Sequence, residues 1–77
     1  MKISKETIER TNLGFPSEFK CKTEEEKDVT ITYRYGRIKI YLGETLHTET
    51  EKDEFDINGY ISDEDLLKVL KRDGLID

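Results

Sequence analysis

Apolar and polar residues alternate strictly over two neighbouring segments, residues 28–34 and 37–42, which are separated by Tyr35-Gly36. Placing Arg34 opposite Arg37 puts every apolar residue of both segments on one face. The pairs that follow are Tyr33 with Ile38, Ile31 with Ile40, and Val29 with Leu42. A shift by one residue would bring charged side chains into that face, which a strand with one buried side does not tolerate. The pattern therefore predicts a β-hairpin whose opposite face carries Thr30, Thr32, Arg34, Arg37 and Lys39.

Two further strands are predicted beside this hairpin. Residues 17–22 alternate Phe19 and Cys21 with charged neighbours, which is typical of a half-buried strand. After residue 42, a three-residue loop would place Leu46 opposite Leu42 on the inner face. The same register sets Glu49 opposite Lys39 and Glu51 opposite Arg37. A two-residue loop would instead turn His47 inward against Ile40, so the register with opposite charges paired across the strands is favoured.

Helices are predicted at both ends of the chain. Ser4 is a candidate N-cap for a short helix that ends before Pro16. Ser62 is a candidate N-cap for residues 63–73, which have acids in the first turn and bases in the last. Gly74 suits the left-handed C-cap of this helix. The predicted fold is therefore α+β: an antiparallel meander of three to four strands with an N-terminal and a C-terminal α-helix, at least the latter packed on the apolar face.

The length of 77 residues predicts one domain, residues 1–77, with a thin core. No stretch approaches the roughly 20 apolar residues of a membrane span, and the first residues lack the apolar run of a signal peptide. The single cysteine excludes an internal disulfide framework. These features predict a cytoplasmic protein with no membrane partner.

Charge is distributed unevenly along the chain. Residues 1–43 hold nine Lys and Arg against seven Asp and Glu, whereas residues 44–77 hold four against eleven. The overall net charge of −5 disfavours nucleic acid as a direct ligand. Arg34, Arg37, Lys39 and Tyr41 alone would resemble a basic, aromatic patch for nucleic acid. In the favoured register Glu49 and Glu51 lie beside these residues and cancel most of their positive charge. The sequence therefore predicts a solvated sheet face instead.

Catalysis is not expected from this sequence. Cys21 and His47 are the obvious candidates for a nucleophilic pair, yet the strand phases place the former inward and the latter outward. The chain contains no glycine-rich phosphate loop and no His/Cys spacing of the metal-binding type. A carboxylic acid would need a desolvated pocket to act as a general acid, and a core of this size offers little room for one. We therefore predict that the protein is not an enzyme and needs no cofactor.

Residues 54–65 carry oxygen-bearing side chains at alternate positions, a central glycine at position 59 and an acidic residue at the end. This segment resembles the twelve-residue calcium loop of EF-hand proteins and its dockerin version. The resemblance implies a Ca²⁺ site in which side-chain, backbone and water-mediated oxygens come from Glu54, Asp56, Asn58, Tyr60, Ser62 and Asp65. Glu at the first position and Asp at the last depart from the usual pattern. The same residues also suit a strand, an Asn58-Gly59 turn and a capped helix.

Three functional hypotheses follow from these observations. The first is a small acidic, non-enzymatic protein-binding module, an inhibitor or regulator that docks on a basic protein surface; in size and charge it is similar to small phage-encoded inhibitors. Its predicted contact residues are Asp53, Glu54 and Asp56, which have no structural partner in the predicted sheet, together with Glu49 and Glu51. The second is a calcium-binding module at residues 54–65. The third is a structural or regulatory subunit without a ligand.

Overall fold

A computed structural model describes residues 1–12, 17–51 and 60–77 of the chain. The described elements are a 3₁₀ turn, Lys5–Thr7; five strands, β1 Glu9–Asn12, β2 Ser17–Lys22, β3 Asp28–Arg34, β4 Arg37–Leu42 and β5 Thr45–Glu51; and one α-helix, α1 Asp63–Arg72. The strands form one antiparallel sheet in the order of the sequence, so each strand pairs with its neighbour in the chain. Within the described ranges, no helix has the length and apolarity that crossing a membrane requires.

The predicted fold class is wrong in its strand count and in its first helix. The sheet has five strands rather than three or four, and the predicted N-terminal helix is replaced by a single 3₁₀ turn followed by β1. The side chain of Ser4 makes no capping hydrogen bond; instead its carbonyl accepts from Thr7 Oγ1 at 2.6 Å. Threonines disfavour helix, and pairing with β2 satisfies the backbone of β1. The fold is thus mostly β, with the helix confined to the C-terminal end.

The predicted β3–β4 register is confirmed at every pair, from Arg34 opposite Arg37 to Val29 opposite Leu42. Val29, Ile31, Tyr33, Ile38 and Ile40 are buried on one face, and Leu42 is half-buried at its margin. The opposite face is covered by no described helix and carries the hairpin's charged residues. We call it the open face.

The β4–β5 pairing confirms one part of the predicted register and corrects another. Glu49 lies opposite Lys39 and Glu51 opposite Arg37, as predicted, but Leu46 lies opposite Tyr41 rather than Leu42. The loop between β4 and β5 has two residues. A β-bulge at position 47 then shifts the register by one residue, so that the pairs beyond it are those predicted for a three-residue loop. Leu46 is therefore on the open face and 47% exposed, while His47 remains exposed.

Helix α1 covers the inner face and closes the core. Ser62 is the N-cap, and its Oγ accepts from the Asp65 amide at 3.1 Å, as predicted. At the other end Gly74 has φ +75°, and the Leu75 amide donates to the Leu70 carbonyl at 2.8 Å in a Schellman arrangement. The core cluster combines the inner face of the sheet with the buried side of the helix and the chain ends: Ile3, Phe19, Cys21, Val29, Ile31, Tyr33, Ile38, Ile40, Ile61, Leu66, Val69, Leu70, Leu75 and Ile76.

Candidate functional site on the open face of the sheet

A shallow depression of about 460 Å³ lies on the open face beside the β3–β4 turn. Because successive side chains of a strand point to opposite faces, strands β3, β4 and β5 each contribute outward residues to it. Its lining, which we call the hairpin patch, consists of Thr32, Arg34, Tyr35, Arg37, Lys39, Tyr41 and Glu49. The patch combines concavity, two aromatic rings and an excess of cations.

Tyr35 occupies an unusual backbone conformation at the edge of this patch. The turn residues Tyr35 and Gly36 have φ +53° and +78°, the signs required by a two-residue type I′ turn. Asn, Asp or Gly normally occupies the first of these positions, because other L-residues lose about 1–2 kcal/mol in the left-handed region. The Tyr35 side chain is nevertheless 68% exposed, so no burial in the core offsets this strain. Its one described ring contact is with the Arg34 guanidinium, whose carbon lies 5.9 Å from the ring centroid.

The charges of the patch are only partly compensated. Three of its four charged side chains are cationic, and the fourth, Glu49, accepts from Arg37 Nη1 at 3.1 Å. The predicted pairing of Glu49 with Lys39 holds for the backbone register, yet its carboxylate bonds diagonally to Arg37 instead. Within the described residues, neither Arg34 nor Lys39 has an ion pair. Two cations of the patch are therefore available to a ligand.

The predicted acidic docking segment is only partly described. Glu49 and Glu51 lie on β5, as the sequence predicts, but Asp53, Glu54 and Asp56 lie outside the described residues. The one side chain of this group that can be placed, Glu49, is engaged by Arg37. Of this predicted segment, the structure thus brings Glu49 next to Arg37 of the patch.

The predicted calcium loop is also only partly described. Glu54, Asp56 and Asn58 lie outside the described residues, whereas Tyr60, Ser62 and Asp65 lie within them. In the described part, Ser62 caps α1 and the Tyr60 ring stacks on Arg10, 4.9 Å from the guanidinium carbon to the ring centroid. Among residues 1–12, 17–51 and 60–77, no three or more His, Cys, Asp or Glu residues are grouped so as to hold a metal ion. The calcium hypothesis stays a prediction.

Arg10 joins three distant segments, a feature that the sequence analysis missed. Its side chain is only 12% exposed and donates to Ser17 Oγ at 3.3 Å, to the Ile61 carbonyl and to Asp63 Oδ1 at 2.9 Å. Its guanidinium carbon lies 4.5 Å from the centroid of the Phe19 ring. Ser17 is fully buried and its Oγ also accepts from the Ile61 amide at 3.1 Å. This cluster fixes the start of α1 to β1 and β2, so its role is structural.

The two candidate nucleophilic residues are kept apart. Cys21 is buried on β2, and burial raises the pKa of its thiol to about 11, so the thiolate is scarce at neutral pH. His47 is exposed in the bulge of β5, with Nδ1 2.7 Å from Thr48 Oγ1. Two strands separate β2 from β5, which amounts to roughly 14 Å of sheet at the usual strand spacing. The pair cannot act together in this fold.

Comparison of the chain with protein-family models, with curated proteins and with solved structures finds no match. The hairpin patch is therefore the feature of the molecule from which a function can be inferred. A Tyr-Gly turn between two alternating strands was the signal in the sequence that could have identified it, because Asn-Gly or Asp-Gly is the usual choice there.

Proposed function

We propose that this chain is a non-enzymatic protein-binding module that contacts its partner through the hairpin patch. The observation that carries the proposal is Tyr35, an exposed aromatic residue in a strained turn position. Backbone strain at an exposed residue without a packing role is a feature of functional sites. Exposed tyrosine and arginine side chains are also the residue types that contribute most to protein–protein binding.

The proposal assigns the patch a binding role and no catalytic step. The cations of the patch lie on strands rather than loops, so their positions are set by the β3–β4 register. A rigid surface reduces the conformational entropy that is lost on association. We also propose that the protein is cytoplasmic and that it acts as an inhibitor or regulator of its partner.

The test uses one substitution that separates stability from binding. Tyr35→Asn places a residue tolerant of positive φ in the turn, so we expect the free energy of unfolding to rise by about 0.5–1 kcal/mol. Binding should weaken by about tenfold or more, because the ring that contacts the partner is lost. Urea unfolding measures the first effect. The partner is captured from cells that encode the chain and then purified, and titration with it measures the second.

Glu26 provides a matched control. It also has positive φ, at +65°, but it lies in the loop at the other end of β3. Glu26→Asn should therefore stabilise the fold to a similar extent and leave partner binding unchanged. Equal binding by the parent protein and Tyr35→Asn would contradict the proposal.

A second candidate is the docking of residues 49–56 onto a basic protein surface. The observation that favours it is the uneven charge of the chain, with eleven acids against four bases in residues 44–77. Asp53, Glu54 and Asp56 are its proposed contacts. It ranks second because one of its acidic side chains, that of Glu49, already bonds to Arg37.

A further inference from the structure

The hairpin patch also indicates what kind of partner it binds. Resting on the proposed function above, we infer that the patch receives a short, extended protein segment with carboxylate side chains at alternate positions. Arg34 and Lys39 have no carboxylate partner among the described residues, although the chain as a whole has a net charge of −5. A local excess of positive charge on an acidic protein favours an anionic ligand at that place.

The spacing of the cations specifies the shape of the ligand. Arg34 and Lys39, the two cations without an ion pair, are diagonal neighbours on β3 and β4, about 7–8 Å apart on the same face. Alternate side chains of an extended segment have nearly the same spacing. Such a segment can therefore place one carboxylate by each of these cations where it crosses from β3 to β4. Arg37 lies opposite Arg34, and its guanidinium is already bonded to Glu49.

The size and surroundings of the patch favour a short protein segment over nucleic acid. The lining residues span three strands, about 10 Å across. Glu18 lies beside Thr32 on the β2 side, and Glu49 lies on the β5 side. A nucleic acid strand would extend beyond the cations and bring its phosphates close to these acids. A short peptide with a few carboxylates on one side avoids that repulsion.

The test compares three six-residue probes on the full chain. The first peptide has glutamate at positions one, three and five and serine elsewhere, and the second has three consecutive glutamates followed by three serines. The third probe is a thymidine hexanucleotide. Binding is followed by NMR amide shifts of residues 32–41. We expect the alternating peptide to bind about two- to fivefold more tightly than the consecutive one, because one more carboxylate faces the sheet.

Two charge reversals serve as matched variants. Lys39→Glu and Lys20→Glu change the net charge equally and lie on the same face, but Lys20 is outside the patch. Lys39→Glu should weaken binding of the alternating peptide by about fivefold or more, and Lys20→Glu by less than twofold. If Lys39→Glu lowers the melting temperature, the same peptide titration is repeated with Arg34→Glu, which lies at the exposed end of β3.

Three results would overturn the inference: equal weakening by the Lys39 and Lys20 variants, tighter binding of the thymidine probe, or no shift at millimolar alternating peptide. These failures differ from failure of the proposed function. If the peptides fail while Tyr35→Asn still loses the captured partner, the patch remains the docking surface and only the acidic character of the ligand is wrong.

Discussion

At the scale of single residues, Tyr35 and Arg10 each occupy a position that is unusual for their residue type. Tyr35 is exposed in a conformation that disfavours it, which we interpret as a functional requirement. Arg10 is a charged residue with a nearly buried side chain, and it is held by hydrogen bonds to Ser17, Ile61 and Asp63. A buried charge is tolerated where hydrogen bonds and an ion pair compensate it, and Arg10 is therefore a structural residue.

Truncation of Arg10 tests this role. Arg10→Ala leaves the Ile61 carbonyl without its donor and removes the guanidinium from between the rings of Phe19 and Tyr60. We expect the free energy of unfolding to fall by about 2–3 kcal/mol in urea titrations. Arg10→Lys should not restore it, because an ammonium cannot reproduce the planar fork of donors. As the control, Asp63→Asn alters an exposed partner and should cost less than about 1 kcal/mol. An Arg10→Ala variant as stable as the parent would exclude a structural role.

At the scale of elements, the sequence determines local features more reliably than it determines pairing between distant segments. The β3–β4 register follows from alternation because only one register buries Ile31 and Ile40 together. The start and end of α1 follow from Ser62 and Gly74, whose capping chemistry acts within a few residues.

The predictions are wrong or incomplete where the local structure depends on contact with a segment far along the chain. Residues 9–12 contain no apolar alternation, and they form a strand because β2 offers an edge for pairing. The bulge at His47 shifts the β4–β5 register between Ile40 and Tyr41, and the alternation of residues 45–51 does not specify it. The Arg10 cluster joins positions 10, 17 and 61–63, so its members could not be associated from spacing. Of the patch, alternation predicted which cations share a face, but not that Glu49 would bond to Arg37 and leave Lys39 unpaired.

The segment before α1 provides a prediction at the element scale. If residues 54–65 formed a calcium loop, millimolar Ca²⁺ would raise the melting temperature and Asp56→Ala would abolish the rise. We expect little or no change in either protein, because the Ser62 hydroxyl already accepts from the Asp65 amide and so caps α1. Differential scanning calorimetry with Ca²⁺, with Mg²⁺ and with a chelator measures the effect. A rise of several degrees that is specific to Ca²⁺ and lost in Asp56→Ala would establish the calcium hypothesis instead.

At the scale of the whole molecule, charge of opposite sign is separated along the chain. The cations of the hairpin patch lie on β3 and β4, whereas the acids are concentrated from residue 44 onward. Long-range charge affects association rate more than affinity, and the sign of the charge that would steer a partner differs between the two docking modes. The two candidate docking modes can therefore be distinguished by kinetics.

Reversal of Asp53, Glu54 and Asp56 to Lys tests the acidic mode. Each reversal adds two units of positive charge, so the net charge moves from −5 to +1. If these residues steer a basic partner, the association rate should fall by about tenfold at low salt, and its dependence on ionic strength should flatten. The control reverses Glu24, Glu25 and Glu26, which are exposed in the loop between β2 and β3 and change the net charge equally. Stopped-flow association at several salt concentrations separates the effects. If both triple variants associate at the same rate, residues 53–56 have no local role in docking and the hairpin patch alone accounts for recognition.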